Sequence, residues 1–166
     1  MKSTCERGFF VSGLLMVHFV STPSCVQDLN SSVLEHVTAP NVLKNTEQHD
    51  KLRSEAHFVD GDFQSAAKMI SATFGAKRYD VILTAESIYN NNSAQQLLEA
   101  FDMCLTEQGS VLLAAKSYYF GVGGSVASFK KLVDTDGRFS CQVLTRIDDG
   151  SNNVREVLIL SRSLVR

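Results

Sequence analysis

The stretch YDVILTAESIYN (residues 79–90) decides the fold of this chain. Its aliphatic run, residues 81–83, is typical of a strand covered on both faces of a sheet. Polar side chains follow at once, namely Thr84, Glu86, Ser87, Tyr89 and Asn90. Because ligands of open α/β sheets bind outside the carboxyl ends of the strands, these side chains are candidates for a binding site. A strand followed by a capped helix with no binding role explains the same pattern equally well.

Strand and helix patterns alternate on both sides of this stretch. Apolar runs predict strands at 26–30, 56–59 and 110–115. Helical patterns predict one helix at 64–74 and another that follows the glycine-rich loop and ends at about residue 133. Two further helix starts are predicted: Ser31 or Ser32 can cap the first, with Glu35 completing a capping box for Ser32, and Ser93 with Gln96 forms a capping box at the second. Pro40 is expected to interrupt the first of these helices, and the polar residues 46–54 are expected to form a loop.

The chain ends in a predicted hairpin. Strands are expected at 139–147 and 154–161, and the DDGSNN segment between them contains Asp-Gly, a strong hairpin signal. The alternation upstream predicts a mostly parallel sheet with helices on both faces. The expected fold is therefore a Rossmann-like α/β domain with a C-terminal antiparallel β-hairpin.

Composition narrows the classes of function. The chain has 166 residues, 44% hydrophobic and 20% charged, with a net charge of −2, as in an ordinary globular domain. No basic run indicates direct nucleic-acid binding. The four cysteines form no CxxC pair and lie at no metal-ligand spacing from a histidine, so we expect reduced thiols in an intracellular protein and no metal.

The N-terminus resembles a signal peptide. Basic residues precede the apolar run GFFVSGLLMVHFV (residues 8–20), and small residues follow it. The run is too short to span a membrane comfortably. His18 within it and Glu6 before it weaken the signal-peptide interpretation, so we prefer buried strand and expect no membrane association.

Four segments carry a resemblance to a known family. They are QDLNSSVLEHVTAPNVLKN (27–45), FVDGDF (58–63), YDVILTAESIYN (79–90) and GSVLLAAKSYYFGVGG (109–124). With the closing hairpin, they resemble the class I, seven-β-strand methyltransferases that use S-adenosyl-L-methionine. More narrowly, they resemble the protein-histidine N-methyltransferases that modify a large-subunit ribosomal protein. The resemblance implies such an enzyme, a protein substrate, a monomer, and a location in the cytoplasm, the nucleus or both.

The resemblance also implies roles for individual residues. Asp28 would bind the ribose hydroxyls of the cofactor, with help from Asn30, although an acid there also suits a helix N-terminus. Gly61 would allow close approach of the backbone, Asp62 would accept from the adenine amino group, and Phe63 would cover the ring. A simple turn explains these three residues nearly as well.

The methyl-transfer end of the site is expected next to the 81–83 strand. Thr84 would lie where the methionine part of the cofactor meets the nucleophile. Glu86 would orient or deprotonate the target imidazole, and Tyr89 would position it. The glycines of 121–124 lack the Lys-Ser or Lys-Thr of a phosphate loop, so we expect them to form a tight turn beside the target peptide.

The N-terminal part departs from the family pattern. The family has a glycine-rich loop of the LDLGCGSGLLG type after its first strand, and only residues 12–15 echo its end. A crossover between parallel strands needs about a dozen residues, but only the few residues 21–24 separate the apolar run at 8–20 from the next strand. Residues 8–20 are therefore expected not to form a normal first strand that leads into a parallel second one. We therefore expect an atypical segment at 1–26 and a single methyltransferase-like domain at 27–166. The alternative function is a catalytically inactive, truncated interaction module.

Overall fold

The computed structural model describes residues 8–12, 24–45, 56–76, 79–148, 150 and 154–163. Seven strands form one sheet: β1 (Gly8–Ser12), β2 (Ser24–Asp28), β3 (Ala56–Asp60), β4 (Tyr79–Ala85), β5 (Leu105–Lys116), β6 (Phe139–Ile147) and β7 (Arg155–Arg162). Their spatial order is β3-β2-β1-β4-β5-β7-β6. The expected loop at 46–54 and most of the DDGSNN turn lie outside the described residues.

The sheet is parallel except for β7. Strand β7 is antiparallel to both β5 and β6, so the last two strands form the predicted hairpin. The remaining neighbouring strands pair in parallel. The expected Rossmann-like α/β fold with a C-terminal antiparallel hairpin is therefore confirmed.

Helical segments connect the strands. They are α1 (Ser31–Val33), a π-helical turn (Leu34–Thr38), α2 (Ala39–Asn45), α3 (Phe63–Phe74), α4 (Asn91–Cys104) and α5 (Val126–Asp136). The chain first moves outward from β2 to the edge strand β3 and then returns across the sheet to β4 and β5. Because crossovers are right-handed, the helical segments between β2 and β3 lie on one face of the sheet, and α3 and α4 lie on the other.

Strand β1 corrects one expectation. It lies in the middle of the sheet and is parallel to both β2 and β4. The prediction that residues 8–20 cannot supply a normal first strand was wrong, because residues 8–12 form a strand that pairs in parallel with β2. The expected boundary between residues 26 and 27 falls inside β2, so the described part of the N-terminal segment belongs to the same sheet.

Helix starts differ from the predicted capping boxes. The side chain of Asn30 accepts a hydrogen bond from the Ser32 N–H and caps α1. The side chain of Asn90 likewise accepts from the Ser93 N–H and caps α4. Both predicted serine caps were wrong, because an asparagine two or three residues upstream already satisfies the free N–H groups of the first turn.

Pro40 does not break its helix either. The chain remains helical from Ser31 to Asn45, and the turn before Pro40 widens so that the Ala39 N–H donates to the Leu34 carbonyl. A proline has no N–H and its ring crowds the carbonyl four residues back. The π-helical turn relieves that crowding while the helix continues.

The core lies on one face of the central strands. Ile82, Val111, Leu113, Leu158 and Leu160 come from three neighbouring strands and are fully buried. The alternate residues of β4, such as Val81 and Leu83, are only partly buried. Strand β4 is therefore covered more tightly on the face of Ile82 than on the face of Val81 and Leu83. Within the described residues, no helix has the length and apolar character that a membrane crossing requires.

Candidate functional site

The carboxyl end of β4 has an unusual backbone conformation. Glu86, directly after the strand, has a φ of 55° and is the only non-glycine residue with positive φ in the described chain. Its N–H donates to the Ala114 carbonyl at 2.8 Å. Side chains with a Cβ are strained in this region, and such strain concentrates at functional sites. The conformation fixes the path by which the chain leaves the sheet at Glu86.

A cavity of about 360 Å³ lies at this end of the sheet. Five of the eight predicted site residues line it, namely Asp28, Asp62, Phe63, Glu86 and Tyr89. They follow β2, β3 and β4, whose carboxyl ends meet at one edge because the three strands are parallel. The other three predicted residues, Asn30, Gly61 and Thr84, do not line the cavity.

Asp28 and Gly61 lie at the ends of neighbouring strands. The Gly61 N–H donates to the Asp28 carbonyl at 3.1 Å, which continues the pairing of β2 with β3. One carboxylate oxygen of Asp28 accepts from the Asn30 N–H at 2.8 Å. The second oxygen of Asp28 is the group through which this residue could bind a ligand in the cavity.

Asp62 serves as the N-cap of α3. Its two carboxylate oxygens accept from the Ser65 N–H at 2.9 Å and the Ser65 hydroxyl at 2.8 Å. These hydrogen bonds, with the backbone N–H of Ser65 contributing most, lower the pKa of the Asp62 carboxyl. Asp62 therefore enters the cavity as an ionised acceptor, each of whose oxygens already receives one hydrogen bond.

Two predicted residues have structural partners instead. The Asn30 side-chain oxygen caps α1, as described above. Thr84 is 3% exposed and its hydroxyl donates to the Ser87 hydroxyl oxygen at 2.9 Å. Within the described chain, Thr84 thus supports the turn that carries Glu86 and does not line the cavity.

Sequence reasoning missed Gln27. This residue lines the cavity and is only 2% exposed. Its side-chain N–H donates to the Gly61 carbonyl at 2.6 Å, while its buried Oε1 has no hydrogen-bond partner. A buried acceptor is costly to leave unpaired. Its position beside Asp28, at the end of the same strand, was the signal that could have identified it.

Lys116 and Tyr119 were also missed. The Lys116 ammonium lies 3.8 Å from the Glu86 carboxylate, and its backbone N–H donates to the Tyr119 hydroxyl oxygen at 3.3 Å. Burial, followed by the nearby charge and hydrogen bonding of Glu86, raises the pKa of Tyr119 well above its ordinary value. Tyr119 therefore stays protonated, and this cluster supports Glu86 from the end of β5 and the loop that follows it.

No group of three or more histidine, cysteine or acidic side chains able to hold a metal occurs among the residues that the structure describes. The described cysteines are free thiols. Burial raises the pKa of Cys25 to about 12 and the pKa of Cys104 to about 11. Both thiols are therefore poor nucleophiles at neutral pH.

Curated proteins of one kind are similar in sequence to this chain. The chain is 33% identical over 138 residues to a histidine protein methyltransferase 1 homolog of Dictyostelium discoideum, which covers 83% of this chain and 42% of that protein. It is 34% identical over 157 residues to the homolog of Mus musculus, covering 83% and 41%. Its relatives are histidine protein methyltransferases. The chain thus spans less than half the length of these relatives, and no family model matches it.

Solved structures share the fold. A TehB-like SAM-dependent methyltransferase from Corynebacterium glutamicum superposes with a TM-score of 0.59 at 11% identity, covering 95% of this chain and 81% of that one. The CurJ carbon methyltransferase gives a TM-score of 0.64 at 14% identity, covering 98% and 50%. The fold is therefore the Rossmann-like fold of class I methyltransferases.

Proposed function

We propose that this chain is an S-adenosyl-L-methionine-dependent methyltransferase whose substrate is a histidine side chain of a protein. The observation that carries the proposal is the cavity at the end of β2, β3 and β4, where Asp28, Phe63 and Glu86 converge. The relatives, which are longer proteins, are named as histidine protein methyltransferases. Ligand binding at this edge is the general property of open α/β sheets.

The cavity lining fits the nucleoside end of such a cofactor. A volume of about 360 Å³ is within the range of small-molecule sites. Asp28 has one carboxylate oxygen available for ribose hydroxyls, and the buried Oε1 of Gln27 is a second acceptor without a partner. Phe63 supplies an apolar surface for the adenine ring, and Asp62 an acceptor for its amino group.

Glu86 and Tyr89 would act on the protein substrate. The cofactor, when bound, supplies a methyl group already activated on a sulfonium, so the protein mainly has to align the nucleophile. The Glu86 carboxylate would accept the N–H of a neutral imidazole and so direct the lone pair of the other ring nitrogen towards the methyl group. The Lys116 ammonium, 3.8 Å from the Glu86 carboxylate, would partly balance its charge when no substrate is bound. Tyr89, 40% exposed at the cavity wall, would position the ring.

A non-catalytic module is the second candidate, and the sequence of residues 13–23 favours it. Gly13 is the only glycine in this segment, where the family has a glycine-rich loop that binds the methionine end of the cofactor. Each hydrogen bond to a charged group is worth about 1.5–3 kcal/mol. Losing two or three would weaken binding by roughly three orders of magnitude or more.

Isothermal titration with S-adenosylhomocysteine separates the two candidates. A methyltransferase should bind it with a dissociation constant in the micromolar range, and Asp28→Asn should weaken binding at least tenfold. Glu86→Gln should leave that affinity unchanged and abolish transfer of tritiated methyl groups to protein. Glu35→Gln, an exposed change outside the cavity, is the control. No binding at millimolar concentrations would refute the enzyme and support the non-catalytic module.

The identity of the substrate is a further part of this proposal. We propose a large-subunit ribosomal protein as the target, a monomeric enzyme, and action in the cytoplasm, the nucleus or both. Resemblance to the ribosomal-protein histidine methyltransferases supports each point. Incubation of the chain with tritiated cofactor and separated ribosomal subunits tests the target, and labelling confined to proteins outside the large subunit would contradict it.

A further inference from the structure

Large apolar side chains project from the loop that follows β5. We call residues 117–124, SYYFGVGG, the aromatic loop. Within it Tyr118 is 51% exposed, Phe120 is 75% exposed and Val122 is 55% exposed. The rings of Tyr118 and Phe120 form an edge-to-face pair with centroids 4.9 Å apart. Exposed apolar groups that cluster in this way mark a site of interaction.

The base of the aromatic loop is firmly held. The Ser117 N–H donates to the Val154 carbonyl at 2.8 Å, and the Tyr119 N–H donates to the Gly124 carbonyl at 2.9 Å. Tyr119 itself is 8% exposed and anchors the loop in the core. The loop therefore presents its exposed side chains on a fixed backbone, which lowers the entropy lost when a partner binds.

The aromatic loop adjoins the candidate site. The Gly124 N–H donates to the Tyr89 carbonyl at 3.0 Å, so the end of the loop is hydrogen-bonded to a residue that lines the cavity. Lys116, just before the loop, contacts Glu86. No residue from 117 to 124 carries a charge. A partner that reaches from the cavity over this loop would thus meet an uncharged, largely apolar surface.

We propose that the aromatic loop binds the polypeptide segment flanking the target histidine and selects apolar residues next to that histidine. This inference rests on the proposed function, because it extends from the position at which Glu86 would hold the imidazole. Tyr118 and Phe120 are the specificity-determining residues. Aromatic side chains that become buried against a partner commonly contribute most of the binding energy at an interface.

Fluorescence anisotropy with labelled heptapeptides tests the proposal. Two probes carry a central histidine, one flanked by leucine and phenylalanine and the other by serine and asparagine. We expect the apolar probe to bind the full chain at least about tenfold more tightly. Phe120→Ser and Tyr118→Ser should each reduce that preference to about threefold or less. Leu144→Ser, which changes a residue on β6 that is 59% exposed, should leave the preference intact.

Each other outcome is decisive. Equal binding of the two probes, or an undiminished preference in both loop variants, overturns the inference. Self-association that Phe120→Ser abolishes, without any preference between probes, would assign the loop to contact between two copies and also overturn it. Thermal melts of the variants confirm folding, which exposed substitutions should preserve.

A third probe separates this inference from the proposed function. It replaces the central histidine of the apolar probe by alanine. If the apolar preference persists while histidine adds nothing to binding in the wild type or in Glu86→Gln, the histidine site fails and the docking surface stands. If histidine adds affinity through Glu86 but the flanking residues have no effect, the site stands and the docking surface fails.

Discussion

Gly124→Ala should destabilise the junction between the aromatic loop and the candidate site. A Cβ at this position would overlap the Ile88 carbonyl oxygen and the backbone of Tyr89. These are backbone atoms, so no flexible side chain can move aside. The change would separate the loop from Tyr89 and break the hydrogen bond between the position-124 N–H and the Tyr89 carbonyl.

The magnitude follows from two contributions. Overpacking of a tight site costs about 1–3 kcal/mol. Loss of the hydrogen bonds made by the N–H and the carbonyl at position 124 adds about 0.5–1.5 kcal/mol each. The free energy of unfolding should therefore fall by about 2–6 kcal/mol, measured by urea denaturation with linear extrapolation.

Gly123→Ala is the matched comparison. Gly123 has a φ of 82°, but a Cβ there would meet no atom within 4 Å. Only the left-handed backbone opposes the change, at about 1–2 kcal/mol. If Gly124→Ala proves no more destabilising than Gly123→Ala, and the amide at position 124 exchanges no faster than in the wild type, the close approach to Tyr89 is not a constraint and the reasoning fails.

Three further changes test other parts of the structure. Asn90→Ala removes the cap of α4 and should lower the free energy of unfolding by about 1 kcal/mol. Asn90→Asp keeps the acceptor, so its free energy of unfolding should stay within about 0.5 kcal/mol of the wild type, as measured by urea denaturation of both variants. Arg162→Met removes three guanidinium hydrogen bonds to the end of α4 and the start of β5 and should lower the free energy of unfolding by about 3 kcal/mol. For a chain of this size, the melting temperature should then drop by about 5 °C or more. A melting temperature within about 2 °C of the wild type would contradict the stabilising role of Arg162. Hydrogen bonding to Arg138 lowers the pKa of Asp136 below its ordinary value of 3.8, so its contribution is present above about pH 4 and disappears as the pH falls through the lowered pKa. The stability difference between the wild type and Asp136→Asn, from urea midpoints, should therefore shrink progressively as the pH falls below about 4, and a constant difference would refute the assignment.

Local patterns predicted the types of the elements better than their ends. The Asp-Gly signal and the two apolar runs around it specified the closing hairpin. The caps failed because Asn30 and Asn90 are followed closely by serines, and any of these side chains can cap a helix. Which one does so depends on where the packed helix begins, and that is a property of its tertiary contacts.

The first strand shows a second kind of failure. The apolar run from residue 8 to residue 20 looked continuous in the sequence, and in the part of it that the structure describes, residues 8–12 form the strand. Pairing with β2 on one side and β4 on the other determines its length. A count of the residues available for the crossover could not be made correctly before that pairing was known.

The sequence by itself determined the alternation of strands and helices, the terminal hairpin and the acids at the ends of β2, β3 and β4, because periodicity and strand ends are local properties. Only the tertiary structure decided which polar side chains meet. It brought Asp28, Phe63 and Glu86 to one cavity, left Thr84 out of the lining, and added Gln27 and the Lys116–Tyr119 pair. Parallel strands that are distant in the chain become neighbours through crossovers, and the distances between their ends follow from the register of the whole sheet.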